Sequence, residues 1–477
     1  MKSWLPLLLS VFLLSACATQ GGNTGISLLD APGSKEKLLT KLEPGKFSPS
    51  LVSIGSEKDL AQRRGEGLGL VRSQAIEGYL GGILARLIAA SGITQVPGKV
   101  VLQASQDFGA SATADGNIYI AMGWIPYLES EDEIAAIIAH ELGHVLLKHH
   151  TTDIIGKTQK RLQSSHELAL GARTALQKVQ IGASDQRAML GMQALVELID
   201  KVVMPAWNRR QEAEADLLGT DLLIAAGYSP EGMTSMLEKR QAWEKLHMES
   251  DAEFQKRLMQ LAAKDISAAI NTSINKVIAD ISVAHPDTES RLDNLAQYID
   301  RFYANAAFPS VNAAAFKKLR AQRTAATVLR NYDMAFSARS LFAKGQIKTA
   351  YGYAKESATG PTAQHAYPNW ILAKSASQLG LHAQANAALE RALSSEEPVR
   401  EIYTEMIEVQ ERAGNNQAAL KWIDKAANAF GDSPVWAPHR IRVLKKLGRK
   451  NDATALALKC SVDTPELRRD CQAASAN

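Results

Sequence analysis

The chain has 477 residues, 46% of them hydrophobic and 22% charged, which is ordinary composition and length for two or three globular domains. Its formal net charge of +4 is close to balance, and no block of like charge stands out. Nothing here suggests a nucleic-acid surface.

In chain order, Lys2 and the apolar run WLPLLLSVFLL read as an export signal too short to span a bilayer comfortably. The run closes on Leu14-Ser15-Ala16-Cys17, small residues followed at once by cysteine. This resembles the lipobox of bacterial lipoproteins, which implies a signal peptide over 1–16 and a lipid on Cys17. Several acyl chains on one residue anchor far more firmly than a single chain. Ala18, where an aspartate would signal retention, implies the outer membrane by the enterobacterial sorting pattern. Residues 17–50, with GGNTG, APGSKEK and EPGKFSPS, read as a flexible tether. No later segment reads as membrane-spanning. The most apolar one, MLGMQALVELIDKVVMPAW, is broken by Glu197, Asp200 and Lys201.

A first folded domain is expected over 51–305. From 58 to 92 the pattern is helical, with Ile76, Leu80, Ile83, Leu84 and Leu87 on one side. KVVLQAS and GNIYIAMG then read as short strands, with the turn signal Asp115-Gly116 between them. The next helix starts at Ser130, an N-cap completed to a capping box by Glu133, and Glu131 and Asp132 suit its positive dipole end. Ile134, Ile137, Ile138, Leu142 and Val145 give it an apolar stripe. Residues 151–205 read as further alanine-rich helices. NRRQEAEADLLGTDLLIAAG forms another helix closing at Gly227, and Ser229-Pro230 opens the next.

The chemistry sits in IIAHELGHVLLKHH. At about 100° per residue, His140 and His144 lie about 40° apart on one helix face and reach one ion. Glu141 projects beside that ion as a general base. A helix continued to His149 carries it half a turn round from His140, and His150, ten residues after His140, lies about 80° round and a further two turns along the axis. Both read as solvent-facing or helix-end partners. A catalytic zinc takes three protein ligands and leaves one open position. Glu212 is the best third ligand; Asp216, on the same face, accepts a ligand histidine's Nδ1–H, and Glu214 faces away.

The pattern His140-Glu141-x-x-His144, then Arg209, Glu212, Ala215 and Asp216, then His285-Pro286 and Arg291, resembles the zinc metalloproteases that include the CAAX prenyl protease and HtpX. With the lipobox, the resemblance is to periplasmic members. It implies one Zn²⁺ per chain and a role for His285, either completing the metal shell at rest or donating to the oxyanion. It implies for Arg291 either that oxyanion or an acidic group behind the ligands. Asn208 replaces the family's usual serine, and GASATADG replaces its glycine-proline turn before the zinc helix. An extended peptide is expected to pair with GNIYIAMG as an edge strand.

The C-terminal third, 330–477, carries a repeat. Gly380, Gly414 and Gly448 are 34 residues apart, Gly345 lies 35 before Gly380, and each is followed after five residues by Ala350, Ala385, Ala419 or Ala453. Small residues recur at Ala392, Ala426 and Cys460. The period resembles the tetratricopeptide repeat, in which glycine ends one helix and alanine lets the next lie against it. In an oxidising compartment a Cys460–Cys471 disulfide is plausible.

The fold expected is mainly α: an α+β protease domain with a small sheet beside the zinc helix, then an α-solenoid. The function expected is a lipid-anchored zinc endopeptidase facing the periplasm. Its substrates are unfolded or misassembled envelope proteins, and the repeats meet outer-membrane assembly machinery. Two alternatives stay open: a chaperone or adaptor acting through its repeats, with 151–205 plugging an idle site, and a zinc hydrolase of cell-wall material.

Overall fold

The computed structural model describes residues 35–49, 53–66, 69–151, 206–247, 288–396, 398–430, 434–464 and 467–476. The signal peptide, Cys17, His285 and residues 152–205 lie outside them. The described residues are mainly helical, with a two-stranded and a four-stranded sheet, the latter beside the helix of the two histidines, followed by helical repeats. Among the described residues no helix is long and apolar enough to cross a membrane.

The peptidase-like part begins with β1 (Gly45–Lys46), α1 (Ser56–Glu66), β2 (Leu70–Val71) and α2 (Gln74–Ser91). The single helical stretch expected over 58–92 is thus two helices, with β2 between them. β3 (Ile93–Thr94), β4 (Val100–Gln103), β5 (Ala110–Ala112) and β6 (Ile118–Ala121) follow. The four-stranded sheet has the order β2-β4-β6-β5, with β4 and β6 parallel and β5 antiparallel to β6. This corrects the expected substrate edge. Ile118–Ala121 is fully buried inside the sheet, and the short strand β5, missed in the sequence, is the edge beside it. Asp115-Gly116 turns β5 into β6. Asp59 of α1 ties down that hairpin by accepting from Thr113, Asn117 and Tyr119 at 2.7–2.8 Å.

A second correction concerns residues 38–47, placed in the tether. Leu38 and Phe47 are buried, and β1 pairs with β3. Asp221 accepts from the Leu39 N–H at 2.9 Å, and from Tyr298 and Tyr303 at 2.9 and 2.7 Å. Apolar anchors every few residues are too sparse to read as a folded segment, yet three buried partners hold it.

The helices that build the site are α3 (Glu131–Leu146), α4 (Ala206–Ala225), α5 (Glu231–His247), α6 (Thr288–Tyr303) and α7 (Ala313–Ala321). Then come four helix pairs: α8 (Arg323–Ala343) with α9 (Ile347–Ser357), α10 (Ala366–Gln378) with α11 (His382–Leu393), α12 (Arg400–Arg412) with α13 (Asn416–Phe430), and α14 (Ala437–Lys446) with α15 (Lys450–Asp463). α16 (Arg468–Ala476) closes the array, joined to α15 by a Cys460–Cys471 disulfide. Gly345, Gly380, Gly414 and Gly448 each sit at φ between 72° and 80° in the turn within a pair. Ala350, Ala385, Ala419 and Ala453 are buried where the second helix meets the first. One continuous apolar core runs from Leu38 through the peptidase-like part to Met406, and a separate one spans Ile407 to Ala474.

Candidate metal centre

α3 is the axis on which the site is built. Ser130 Oγ accepts from the Glu133 N–H at 3.2 Å, and Glu133 accepts from the Ser130 N–H at 3.3 Å, closing the capping box. The first-turn acids do more than complement the dipole. Glu131 pairs with Arg86 of α2. Asp132 accepts from the Ser229 N–H at 2.8 Å and the Asn312 N–H at 2.6 Å, holding the starts of α5 and α7. Glu133 pairs with Lys239 of α5 at 2.7 Å. Three consecutive buried carboxylates thus clamp three neighbouring helices to the far end of the histidine helix.

At the histidine end, small residues let α4 approach. A Cβ on Gly143 would lie 3.1 Å from the Ala215 carbonyl oxygen, and one on Gly219 would lie 3.1 Å from the His140 nitrogen. This close crossing brings Glu212 and Asp216, four residues apart on α4, to His144 and His140. His140 Nε2 and His144 Nε2 are 3.2 Å apart, and Glu212 oxygens lie 3.5 Å from the first and 3.3 Å from the second. A tetrahedral ion with bonds of about 2.0–2.1 Å requires ligand atoms about 3.3 Å from each other. The three donors are spaced for such an ion. Two imidazoles and one carboxylate also suit zinc in a site that keeps one position open.

Behind the donors, His140 Nδ1 lies 2.8 Å from Asp216 Oδ1, and Arg291 donates to both Asp216 oxygens at 2.7 Å. Arg291 also lies 3.4 Å from Glu212. Of its two expected positions, the structure thus places it behind the ligands, against Asp216 and Glu212. Its guanidinium is 4% exposed, with Nε and Nη2 donating to Asp216 and Nη1 lying toward Glu212. Burial alone would raise the Asp216 carboxyl, but Arg291 and then His140 hold it down at about 2. Burial pulls the His140 imidazolium down, yet Asp216 and Glu212 outweigh it and push the metal-free group up to about 9. His144, desolvated and next to His140, is shifted the other way.

His149 departs from expectation. The helix ends at Leu146, Lys148 adopts φ 55°, and the chain doubles back. His149 is therefore buried, with Nδ1 2.8 Å from His144 Nδ1 and Nε2 3.2 Å from Glu214. Glu214 does face away from the three donors, but toward this histidine. Helical rotation does not place His149, because the helix stops before residue 149. No glycine marks the reversal, so only the Lys148 geometry reveals it. His150 is kept neutral, its imidazole lowered to about 4 by burial and by His144.

Glu141, His140, His144, Glu212, Asp216 and Arg291 are thus all buried around one point. His285 falls outside the described residues, three positions before α6 begins at Thr288.

Residues 74–299 match peptidase family M48. The chain is similar to the beta-barrel assembly-enhancing protease of Escherichia coli K12, 25% identical over 216 residues, 44% of this chain and 42% of that protein. It is 31% identical over 138 residues to the metalloprotease LoiP of the same strain, 28% of this chain and 48% of that one. The mitochondrial metalloendopeptidase OMA1 of Schizosaccharomyces pombe is 23% identical over 166 residues, 35% of this chain and 44% of that relative. The chain therefore aligns with less than half the length of each of these proteins.

Proposed function

We propose that this chain, whose residues 74–299 are a peptidase family M48 domain, is a zinc endopeptidase of the bacterial cell envelope acting on unfolded or misassembled proteins. The observation that carries this reading is the mutual spacing of His140, His144 and Glu212, with Glu141 next to the first on the same buried helix turn. Zinc, when bound, polarises the scissile carbonyl and lowers the pKa of water toward neutrality. Glu141 takes the proton from the attacking water and returns it to the amine nitrogen as the C–N bond breaks. Asp216, held by Arg291, fixes the His140 ring and keeps its proton on Nδ1. His285 has one of two tasks, donating to the carbonyl oxygen as it gains charge or completing the metal shell at rest.

An extended peptide pairs with the open side of β5, the sheet edge that lies against α3. Main-chain pairing presents a carbonyl with little demand on side chains, which suits unfolded substrates. Lipid on Cys17 holds the chain on the periplasmic face, in the outer membrane by the residue that follows it. The helical repeats, read as tetratricopeptide repeats, offer a surface for a client or for outer-membrane assembly machinery. The name of the beta-barrel assembly-enhancing protease supports that partner class.

A second reading, an adaptor that binds through its repeats, draws on one observation. The first repeats share a continuous core with the peptidase domain, so a bound client is held against that domain whether or not it is cut. Digestion of an unfolded outer-membrane protein separates the two. The zinc-loaded chain is expected to cleave, chelator to stop it, and Glu141→Gln to keep zinc while losing about 10²–10⁴ in rate. A Glu141→Gln chain that fully replaces the wild type in cells would favour the adaptor.

A further inference from the structure

We infer that His149 and Glu214 are positioning residues for His144, forming a hydrogen-bonded relay that fixes the tautomer and ring orientation of the second metal-binding imidazole. The inference rests on the zinc reading above. With His144 Nε2 given to the ion, its remaining proton sits on Nδ1 and is donated to His149 Nδ1, 2.8 Å away. His149 then carries its own proton on Nε2 and donates it to Glu214 Oε2 at 3.2 Å. Glu214 is in turn held by Arg210, whose Nε donates to its other oxygen at 3.3 Å. With His144 neutral and its Nε2 open to a metal, the pair of Nδ1 atoms is satisfied when His144 donates and His149 accepts.

The backbone is shaped for the contact. α3 closes with the Leu147 N–H on the Gly143 carbonyl at 3.0 Å and the Lys148 N–H on the Val145 carbonyl at 3.1 Å. Lys148 then takes the left-handed conformation, φ 55°, which side chains other than glycine rarely adopt. That reversal turns His149 back onto His144, ring centroids 4.9 Å apart, instead of leaving it half a turn away. Strain of this kind persists only where surrounding contacts hold it.

The two imidazoles are therefore braced differently. His140 meets a carboxylate directly, through Asp216. His144 meets a neutral ring, and the carboxylate is one residue further out. The centre already gathers Glu141, Glu212 and Asp216, with the Arg291 guanidinium on the last two and buried Arg240 within electrostatic reach of Glu212. Placing an imidazole between His144 and Glu214 supplies an acceptor without adding another negative charge beside the ligands.

The test uses the full chain with zinc or Co²⁺ added, and reads metal affinity by chelator competition and the Co²⁺ visible spectrum. His149→Leu removes the acceptor and is expected to weaken zinc about 10–100-fold and to change the Co²⁺ absorption envelope. His149→Asn, whose side-chain oxygen takes the place of Nδ1, is expected to restore affinity to within a few-fold. His149→Gln, whose oxygen reaches past that place, is expected not to. Circular dichroism of each metal-free variant checks its folding, and the Asn against Gln contrast stands even if His149→Leu fails to fold. Wild-type affinity and spectrum in His149→Leu would overturn the relay, as would equal impairment in the Asn and Gln variants. A wild-type chain that takes up no zinc would instead overturn the metal reading itself, and the relay with it.

Discussion

The peptidase domain and the C-terminal repeats are both helical, but they are held together in opposite ways. In the first, the decisive contacts join residues far apart in the chain. Asp216 meets Arg291 75 positions away, Asp132 meets the Asn312 N–H 180 away, and Leu38 meets Tyr298 260 away. The first two involve buried carboxylates that need their partners. In the last repeats, Ile407 to Ala474, the core is built from neighbouring helices and small apolar residues such as Ala419, Ala426 and Ala453. The first arrangement fails as a unit, whereas the second fails locally. A catalytic centre benefits from the former, because its donors cannot drift singly.

The largest effect that would sharpen this contrast is expected from Arg291→Leu. It leaves Asp216 buried without its guanidinium, costing about 3–5 kcal/mol, and releases His140. Urea denaturation should show the whole peptidase domain weakened and zinc binding lost. A loss of zinc with no loss of stability would mean that the pair is not structural.

Replacing Cys460 and Cys471 by serine is expected to cost less, about 2–3 kcal/mol for a separation of 11 residues. Hydrogen exchange should show the loss confined to α14, α15 and α16, with zinc affinity unchanged. Loosening that spread to α3 would break the comparison.

The two regions should also part in their response to pH. Asp216 is held at about 2, below its ordinary 3.8, so its contribution is full above about pH 4 and is lost as pH falls toward 2. His140 in the metal-free chain lies at about 9, above 6.5, so its contribution is full below pH 6.5 and is lost as pH rises through 9. Zinc must displace that proton. Apparent zinc affinity is therefore expected to rise about tenfold per pH unit between 7 and 9, with proton release visible by calorimetry in buffers of different ionisation enthalpy. A flat affinity across this range would contradict the His140–Asp216 assignment.

The smallest effect is expected at Gly414, whose φ of 75° closes the turn between α12 and α13. Gly414→Ala should cost about 1 kcal/mol, read as a small shift in the melt of the repeats alone.

What was legible in the sequence follows the same division. The Ser130–Glu133 cap, the His140–His144 spacing, the pairing of Glu212 with Asp216 on one helix face and the glycine-alanine period all depend on residues within a turn or two, or on a fixed repeat. Those patterns survive any tertiary arrangement. The sequence did not reveal β5 as the edge strand, because three small residues, Ala110, Ser111 and Ala112, carry no strand signal of their own. It did not reveal the burial of 38–47, which depends on Asp221, Tyr298 and Tyr303 from distant helices. His149 was misplaced by assuming ideal helix rotation past a residue with no glycine to announce the turn. In each case the missing information was a partner, not a propensity.

Zinc K-edge X-ray absorption on the loaded chain, beside Glu212→Ala, measures the central claim most directly. The geometry predicts two imidazole nitrogens at about 2.0–2.1 Å and one carboxylate oxygen in the wild type, with the oxygen lost and both imidazoles kept in the variant. A spectrum with fewer than two imidazoles, or one that Glu212→Ala leaves unchanged, would contradict it.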